Sequence, residues 1–428
     1  MEAQPKFKGL QKLSPSQLSV GMYVAQLDRD WKETNFPVQG FYVRNQRSIE
    51  RLDQMFAYVY VDPRRYDSRM GEVKLHAVTS KPGEPAPAPS AKLSNRERLI
   101  PKRPVLYKDE VETGAEIATA ASSLDDAQTI IRECVVKLQS NGGFDVEAIE
   151  AAITPLVQSV MRNQTALAAL TRMRKIDDYL YSHAISCSVW GAVVGRQIGL
   201  PPSEINKLAI ACSVADIGKT LLPTELLNKT DPLTEDDWEQ LRSHVERGAD
   251  LLESQGMTDP RIIGAVRTHH ERHDGSGYPH GLQGNKIPAF GRIAGLIDSY
   301  DAMISDRVYA PAKSSYQAVQ EISASADVLF QRELVEYFIK SVGVFPVGSI
   351  VELNTGEVGV VIAQSSNHRL KPKVMLILEE DKTKRNNLVV IDLSLQQKED
   401  TQQPLQWWIT KELPVNAYGI DPQVYFLN

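Results

Sequence analysis

The sequence has no long apolar run, few cysteines and no excess of positive charge. No stretch approaches the ~18 consecutive apolar residues of a membrane-spanning helix, and the first residues, MEAQPKFKGLQKLSPSQL, have no apolar core of the kind found in secretory signals. Cys134, Cys187 and Cys212 are odd in number and lie in apolar contexts, which favours buried thiols over disulfides or a zinc knot. Lys+Arg of 48 against Asp+Glu of 54 gives a net charge of −6, which disfavours a nucleic-acid polymer or an anionic lipid surface as a partner. The sequence therefore predicts a cytoplasmic protein without a membrane span.

A proline cluster divides the chain of 428 residues. Residues 81–91 read KPGEPAPAPSA, and alternating proline and alanine can neither close a helix nor join a sheet, so we predict an extended linker over 79–93. Segments rich in Val, Tyr and Phe before it predict a small mixed α+β domain over 8–78. The apolar period is helical over 112–345 and strand-like over 346–428, where four strands are predicted at GSIVELN, EVGVVIAQ, KVMLILEE and NLVVIDL. The predicted fold class is multidomain, with a central all-α domain between a small α+β N-terminal domain and a small β-rich C-terminal domain.

The helical region is divided at glycine and proline positions. Helices are predicted over 177–197, 203–215, 234–253, 259–271, 290–305 and 315–341. A long apolar stripe over 149–175 is either the core of this domain or the seam of a dimer, so the sequence leaves a homodimer open.

Histidines are concentrated in one part of the helical region. Five of the 8 histidines fall between residues 244 and 280, namely His244, His269, His270, His273 and His280. Imidazole and carboxylate are the usual ligands of catalytic divalent metals, and Asp216 and Asp298 on neighbouring predicted helices complete the set. A single histidine in an apolar context is more often a satisfied core residue, but a cluster of this density favours a metal centre.

The string HHERHDGSGYPHGLQGNKIPAFGRIAGLIDSYDAMISDRVYAP, residues 269–311, resembles the HD-GYP family of bacterial cyclic di-GMP phosphodiesterases. The triplet Gly277-Tyr278-Pro279 is intact, and both ADIGK at 215–219 and His244 in RSHVERG fit the same pattern. The N-terminal part resembles a domain of unknown function that often precedes HD-GYP domains. The resemblance implies an HD-type helical fold and a metal-dependent hydrolysis of the second messenger cyclic di-GMP towards pGpG or GMP.

The resemblance also implies roles for individual residues. Asp216 and Lys219 match the family's catalytic carboxylate and the lysine that faces the substrate phosphate. The residues that match the family's metal ligands are His183, Asp216, His244, His269, His270 and Asp298. The divalent metal implied for this set is iron or manganese.

Two positions depart from the family pattern. Ala215 replaces the histidine of the His-Asp doublet, and Tyr179 stands where members with three metals carry a glutamate. One site therefore keeps Asp216 with three histidines, while the other keeps only His183, Asp216 and Asp298. We expect one firmly held metal, one depleted site and no third metal, with activity reduced or lost.

Substrate contacts are better retained than the metal ligands. The expected substrate-binding residues are Gly277, Tyr278, Pro279, Arg292 and Arg307. A structural ion pair of Arg292 with Asp298 or Asp301 explains that arginine about as well. Ala310 replaces a second basic residue of the family and removes one expected phosphate contact.

Two functions remain open from the sequence. The first is a cyclic di-GMP phosphodiesterase with impaired activity. The second is a catalytically silent cyclic di-GMP sensor or scaffold, which signals to a protein partner through the GYP loop or the flanking domains. Ala215 and Ala310 favour the sensor, whereas the retained ligand residues and Lys219 favour the enzyme. The GYP string disfavours a general HD-type nucleotidase.

Overall fold

The computed structural model describes residues 10–28, 41–43, 46–63, 99–140, 143–173, 179–305, 312–365, 368, 370–395 and 407–425. The chain separates into two compact units, of which the first is N-terminal and the second holds the helices and the C-terminal sheet. The predicted linker over 79–93 lies outside the described residues. None of the described helices combines the length and the apolar character that crossing a membrane requires.

The N-terminal unit is a four-stranded antiparallel sheet with one helix. Its elements are β1 (Gln11–Leu13), β2 (Tyr23–Leu27), β3 (Phe41–Tyr42), α1 (Gln46–Met55) and β4 (Val59–Val61). The strand order is β1-β4-β2-β3. Leu27 and Val59 of the sheet and Leu52 of α1 share one apolar core, which fixes the helix on one face of the sheet.

The second unit begins with helices. They are α2 (Thr113–Gln139), α3 (Val146–Arg162), α4 (Ala166–Met173), α5 (Tyr179–Ile198), α6 (Pro202–Val214), α7 (Thr224–Leu227), α8 (Glu235–Arg242), α9 (His244–Ser254), α10 (Pro260–Thr268), α11 (Ala289–Ile304), α12 (Ser315–Ala324) and α13 (Arg332–Val342). The predicted fold class, a helical centre between two smaller units that contain sheets, is confirmed.

Helix α5 lies in the centre of the helical domain. The rings of Trp190 on α5 and Tyr300 on α11 meet edge to face at 5.5 Å, and Tyr300 meets Phe338 on α13 at 4.9 Å. The apolar stripe that begins at Ile149 is buried within the unit, as Ile153 and Val160 on α3 show. The stripe is therefore part of the domain's own core and not an exposed dimer seam.

Two segments that were predicted as single helices are each broken into two. The segment 234–253 divides at Ser243, which lies between the last residue of α8 and the first residue of α9 and whose hydroxyl donates to the carbonyl oxygen of Gln240 at 2.6 Å. The segment 315–341 divides around Asp327, which has a φ of 64°. In that break the carbonyl oxygens of Val328 and Leu329 accept from the backbone N–H groups of Asp274 and His273, both at 2.9 Å. Helical periodicity does not report such pairing with a distant loop.

The C-terminal sheet has five antiparallel strands. They are β5 (Ile350–Leu353), β6 (Val358–Ala363), β7 (Lys373–Leu378), β8 (Lys384–Asp392) and β9 (Ile409–Leu413), in the order β8-β7-β6-β5-β9. The prediction of four strands missed β9, which is short and mostly polar. Glu412 on β9 accepts from Arg172 on α4 at 3.2 Å and from Ser349 at 2.8 Å, so the missed strand joins the sheet to the helices.

Candidate metal centre

Five elements of the helical domain bring the predicted ligands together. His183 lies on α5, Asp216 follows the end of α6, and His244 begins α9. His269 follows the last residue of α10, and Asp298 lies on α11. Two glycines permit this approach, because a Cβ on Gly218 would overlap the carbonyl oxygen of His244 and a Cβ on Gly295 would overlap that of His269.

Asp216 is the centre of the first group of ligands. Its Oδ1 lies 3.1 Å from His244 Nε2 and 3.5 Å from His269 Nε2. His270 completes the group, in which one ligand atom of each residue lies within 4.8 Å of the others. Three histidines and one carboxylate are a donor set that suits a divalent transition metal.

The other ring nitrogen of each histidine fixes its tautomer. Nδ1 of His244 lies 2.5 Å from the carbonyl oxygen of Leu241, and Nδ1 of His269 lies 2.8 Å from that of Val266. A carbonyl oxygen only accepts, so both Nδ1 atoms carry a proton, and Nε2 is the nitrogen of each ring that faces Asp216 and can bind a metal.

Two buried atoms of this group also lack well-directed hydrogen bonds. They are Asp216 Oδ1 and His270 Nε2, whose residues are buried and half-buried respectively. Buried polar atoms without partners are costly and rare in folded proteins. The donor set, the tautomers and these two atoms all fit a bound divalent cation.

A second group of ligands surrounds His183. Nε2 of His183 lies 3.4 Å from Asp216 Oδ2 and 3.2 Å from Asp298 Oδ1, so Asp216 is shared by both groups. Ala215, whose methyl group replaces the expected imidazole, is buried beside Asp216. The structure therefore brings three ligand residues together here and four in the first group.

The pKa values of the site favour metal binding in the first group. Burial raises the pKa of Asp216, but Lys219 and the three imidazoles outweigh it and hold that pKa well below its usual value. Burial and the neighbouring His269 lower the pKa of His270 well below its usual value. The carboxylate is thus charged and the imidazole neutral, as metal ligation requires.

In the second group, the pKa of the proposed ligand His183 favours the protonated imidazole and not the neutral one. Burial lowers the pKa of His183, but Cys187 and the carboxylates of Asp216, Asp298 and Asp301 outweigh it and raise that pKa well above its usual value. Burial raises the pKa of Asp298, but His183 and His270 hold it well below its usual value. Metal binding to the second group therefore requires loss of the His183 proton. This requirement weakens metal binding in addition to the missing imidazole at position 215.

The GYP loop covers one side of the first group. The ring of Tyr278 stacks on that of His270, with centroids 4.7 Å apart and planes inclined by 22°. The peptide bond between Tyr278 and Pro279 is cis. A Cβ on Gly277 would overlap the backbone of Glu271, so only glycine allows the loop to pass this close.

The predicted cationic contacts differ in position. Lys219 Nζ lies 2.5 Å from Asp216 Oδ2, at the shared carboxylate. Arg292 donates to the side-chain oxygens of Asn285 at 3.0 Å and of Gln331 at 2.5 Å. Arg307 and Ala310 lie outside the described residues, as does the side chain of Tyr179. The roles given to these residues stay predictions.

Sequence reasoning missed two residues that support the site. Asp301 Oδ2 accepts from His183 Nδ1 at 2.7 Å, and one helical turn separates it from Asp298 on α11. The carboxylate of Glu271 accepts from the backbone N–H groups of His280 and Leu282, both at 2.8 Å, and closes the GYP loop. The spacing of Asp298 and Asp301 is the signal that could have found the first of them.

Comparison with protein families identifies three segments. The HD domain family matches residues 157–334, a domain of unknown function (DUF3391) matches residues 10–149, and a KOW domain associated with HD domains matches residues 350–399. With the intact Gly277-Tyr278-Pro279 triplet, these matches confirm the predicted resemblance. Residues 157–334 are thus an HD domain, and the GYP triplet lies within it.

The similar curated proteins are named as phosphodiesterases. The chain is 28% identical over 367 residues to the cyclic di-GMP phosphodiesterase PA4108 of Pseudomonas aeruginosa, covering 85% of this chain and 84% of that protein. It is 36% identical over 149 residues to a cyclic di-GMP phosphodiesterase of Thermotoga maritima, covering 34% of this chain and 40% of that protein. Over 143 residues it is 34% identical to the 3′3′-cGAMP-specific phosphodiesterase 2 of Vibrio cholerae, covering 33% of this chain and 27% of that protein.

Among solved structures, Bd1817, a HDG"Y"P protein from Bdellovibrio bacteriovorus, aligns over 77% of this chain and 98% of that chain. Its sequence identity to this chain is 14% and the TM-score is 0.44.

Proposed function

We propose that this chain is a metal-dependent phosphodiesterase that hydrolyses cyclic di-GMP, with activity reduced by the missing imidazole at position 215. The observation that carries the proposal is the convergence of three imidazole Nε2 atoms, from His183, His244 and His269, on the single carboxylate of Asp216. The names of the similar proteins support cyclic di-GMP as the substrate.

The four-residue group around Asp216 is the firm metal site of this proposal, and iron or manganese is the metal that the family resemblance implies for it. A bound divalent pair supplies Lewis acidity and a nucleophile at neutral pH in phosphodiester hydrolysis. The chain's own residues orient the substrate. Lys219 carries its positive charge next to Asp216, where a substrate phosphate needs a counter-charge, and Tyr278 closes the side of the site at His270.

The GYP loop and two arginines complete the proposed substrate site. Gly277 and Pro279 hold the GYP loop against the backbone of Glu271, which keeps Tyr278 over His270. Arg292 and Arg307 are the proposed phosphate contacts, since a guanidinium fork matches two phosphate oxygens.

A second candidate function is favoured by one observation, the methyl group of Ala215 at the second group of ligands. Loss of even a supporting contact around a metal costs about 10 to 100-fold in affinity or activity, so loss of a direct ligand costs at least as much. On this alternative the domain binds cyclic di-GMP without cleaving it and signals through its flanking domains.

One experiment separates the two functions. The full chain is incubated with cyclic di-GMP and manganese or iron(II), products are measured by chromatography, and bound nucleotide is measured by calorimetry. Formation of pGpG or GMP that is abolished in Asp216→Asn supports the enzyme. Binding without any product supports the sensor, and neither binding nor product contradicts both.

Ala215→His adds a direct test of the depleted site. The cavity of about 30 Å³ beside His183 and Asp216, lined also by Cys212 and Val214, holds about one water and not a ring, so the neighbours must shift to admit an imidazole. We expect higher turnover and a second bound metal in the variant. An unchanged rate together with an unchanged metal content would show that the pocket has closed around alanine.

A further inference from the structure

A column of four side chains leads outward from the metal centre. His270 is covered by the ring of Tyr278, with centroids 4.7 Å apart. The guanidinium carbon of Arg242 lies 5.6 Å from the Tyr278 ring centroid and 5.9 Å from that of Trp238. The guanidinium thus lies near two aromatic rings, of which that of Tyr278 stacks on the proposed metal ligand His270.

The outer half of this column stands on a surface helix. Trp238 and Arg242 are four residues apart on α8, so they share one face of that helix, and no residue of α8 is buried. Trp238 is 49% exposed. In the part of the chain that the structure describes, Arg242 contacts rings and no carboxylate. Both side chains are therefore accessible to a ligand that approaches α8.

The position of the column relative to the ligands is fixed by the chain. Arg242 ends α8, and the ligand His244 begins α9 two residues later. The carbonyl oxygen of Leu241, next to Arg242, accepts from the Nδ1 of His244. The surface pair is therefore held at a set distance from the metal ligands and does not belong to an independent segment.

We propose that Arg242 and Trp238 bind and identify a guanine base of the cyclic dinucleotide. This inference rests on the proposed function. A phosphodiester that is cleaved at the metal ligands carries its bases several ångströms from them, a distance that the column from His270 to Trp238 can span. Arginine pairs bidentately with O6 and N7 of guanine, and a tryptophan face stacks on a purine.

The chemistry around Arg242 favours a base over a phosphate. The two aromatic rings near the Arg242 guanidinium gain nothing from a phosphate group. The same faces gain from a flat purine beside them. Lys219 already provides a positive charge at Asp216, where the phosphate is expected. Arg242 is thus a specificity-determining contact of the base and not a catalytic residue.

The test compares three nucleotides and three variants of the full chain. Cyclic di-GMP, 3′3′-cGAMP and cyclic di-AMP carry two, one and no guanines. Each is titrated by calorimetry into the manganese-loaded protein, with products analysed afterwards to correct for turnover. The variants are Arg242→Gln, Trp238→Ala and, as the control, Arg247→Gln, which removes the same charge at an exposed position of α9.

We expect Arg242→Gln to weaken cyclic di-GMP about 10 to 100-fold and to spare cyclic di-AMP, because glutamine pairs with N6 and N7 of adenine. Trp238→Ala is expected to weaken all three about 10-fold, since stacking does not distinguish purines. Arg247→Gln should change each affinity by no more than about threefold, because an exposed charge is screened.

Two results overturn the inference while the proposed function stands. One is an Arg242→Gln variant that binds cyclic di-GMP as well as the Arg247→Gln control does. The other is an equal loss for all three nucleotides, which would make Arg242 a phosphate contact. If the wild-type chain binds none of the three, the proposed function fails and the base contact fails with it.

Discussion

Asp301→Asn should weaken one of the two metal sites and leave the other intact. Asp301 Oδ2 accepts from His183 Nδ1 at 2.7 Å, and both side chains are buried, at 3% and 4% exposure. Histidines of the first group are oriented differently, by the carbonyl oxygens of Leu241 and Val266. A change at Asp301 therefore reaches His183 and does not reach His244 or His269.

The magnitude follows from the kind of contact that is lost. Replacing a carboxylate that orients a ligating histidine costs about 10 to 100-fold in metal affinity, or about 1.4 to 2.7 kcal/mol. That range agrees with the ~1.5 to 3 kcal/mol of a hydrogen bond to a charged group. Asparagine keeps the size of the side chain and can still accept one hydrogen bond, so the lower half of the range is expected.

Titration of chelator-stripped protein with manganese, followed by calorimetry, measures both sites in one experiment. The weaker site should lose about 10-fold in affinity in Asp301→Asn, while the tighter site keeps its affinity. Ser305→Ala is the matched control, because Ser305 Oγ contacts the same carboxylate oxygen at 3.5 Å without touching His183. Equal weakening of both sites, or no change in either, would refute the assignment of Asp301 to His183.

Two further predictions concern the framework of the site. Gly218→Ala places a methyl group against the carbonyl oxygen of His244 and should lower the free energy of unfolding by about 1 to 3 kcal/mol. The control Gly264→Ala should not lower it, because the added Cβ would meet only Pro288 carbons, at 3.8 and 3.9 Å. Urea unfolding measures both variants, and equal stability of the two would contradict the prediction. Glu116→Gln removes the negative charge that faces Arg162 and replaces one of the two acceptor oxygens with an NH2 group, and it should cost about 1 to 2 kcal/mol at pH 7. The hydrogen bond from Arg162 lowers the pKa of Glu116 below its usual 4.5. The difference in free energy of unfolding between wild type and variant should therefore be complete above pH 4.5 and vanish as the pH falls through the lowered pKa. A stability difference that persists in acid would contradict this prediction.

The proximity of the proposed ligands was predictable because the family pattern names residues one at a time. The structure brings together His183, Asp216, His244, His269, His270 and Asp298. The spacing from Asp298 places Asp301 on the same face of α11, but its contact with His183 was not predictable, because 118 residues separate them and only the packing of α5 against α11 joins them. The same holds for Arg242 and Tyr278, which meet because the GYP loop folds back over α8.

The predicted helices were correct in kind and wrong where a helix is interrupted. Neither break is marked by glycine or proline, because residues 240–246 and 324–330 contain neither. The break around Asp327 is accompanied by hydrogen bonds that the period does not encode, from the backbone N–H groups of Asp274 and His273 to Val328 and Leu329. Strand β9 was missed because it is short and mostly polar and its place is set by pairing with β5.

The metal content of the full chain tests the central claim most directly. Protein purified without chelator is compared by elemental analysis with its His269→Ala, His270→Ala double variant, with circular dichroism to show that both are folded. The site around Asp216 predicts about one divalent ion per chain in the wild type and its loss in the variant. Equally little metal in two folded proteins would contradict it.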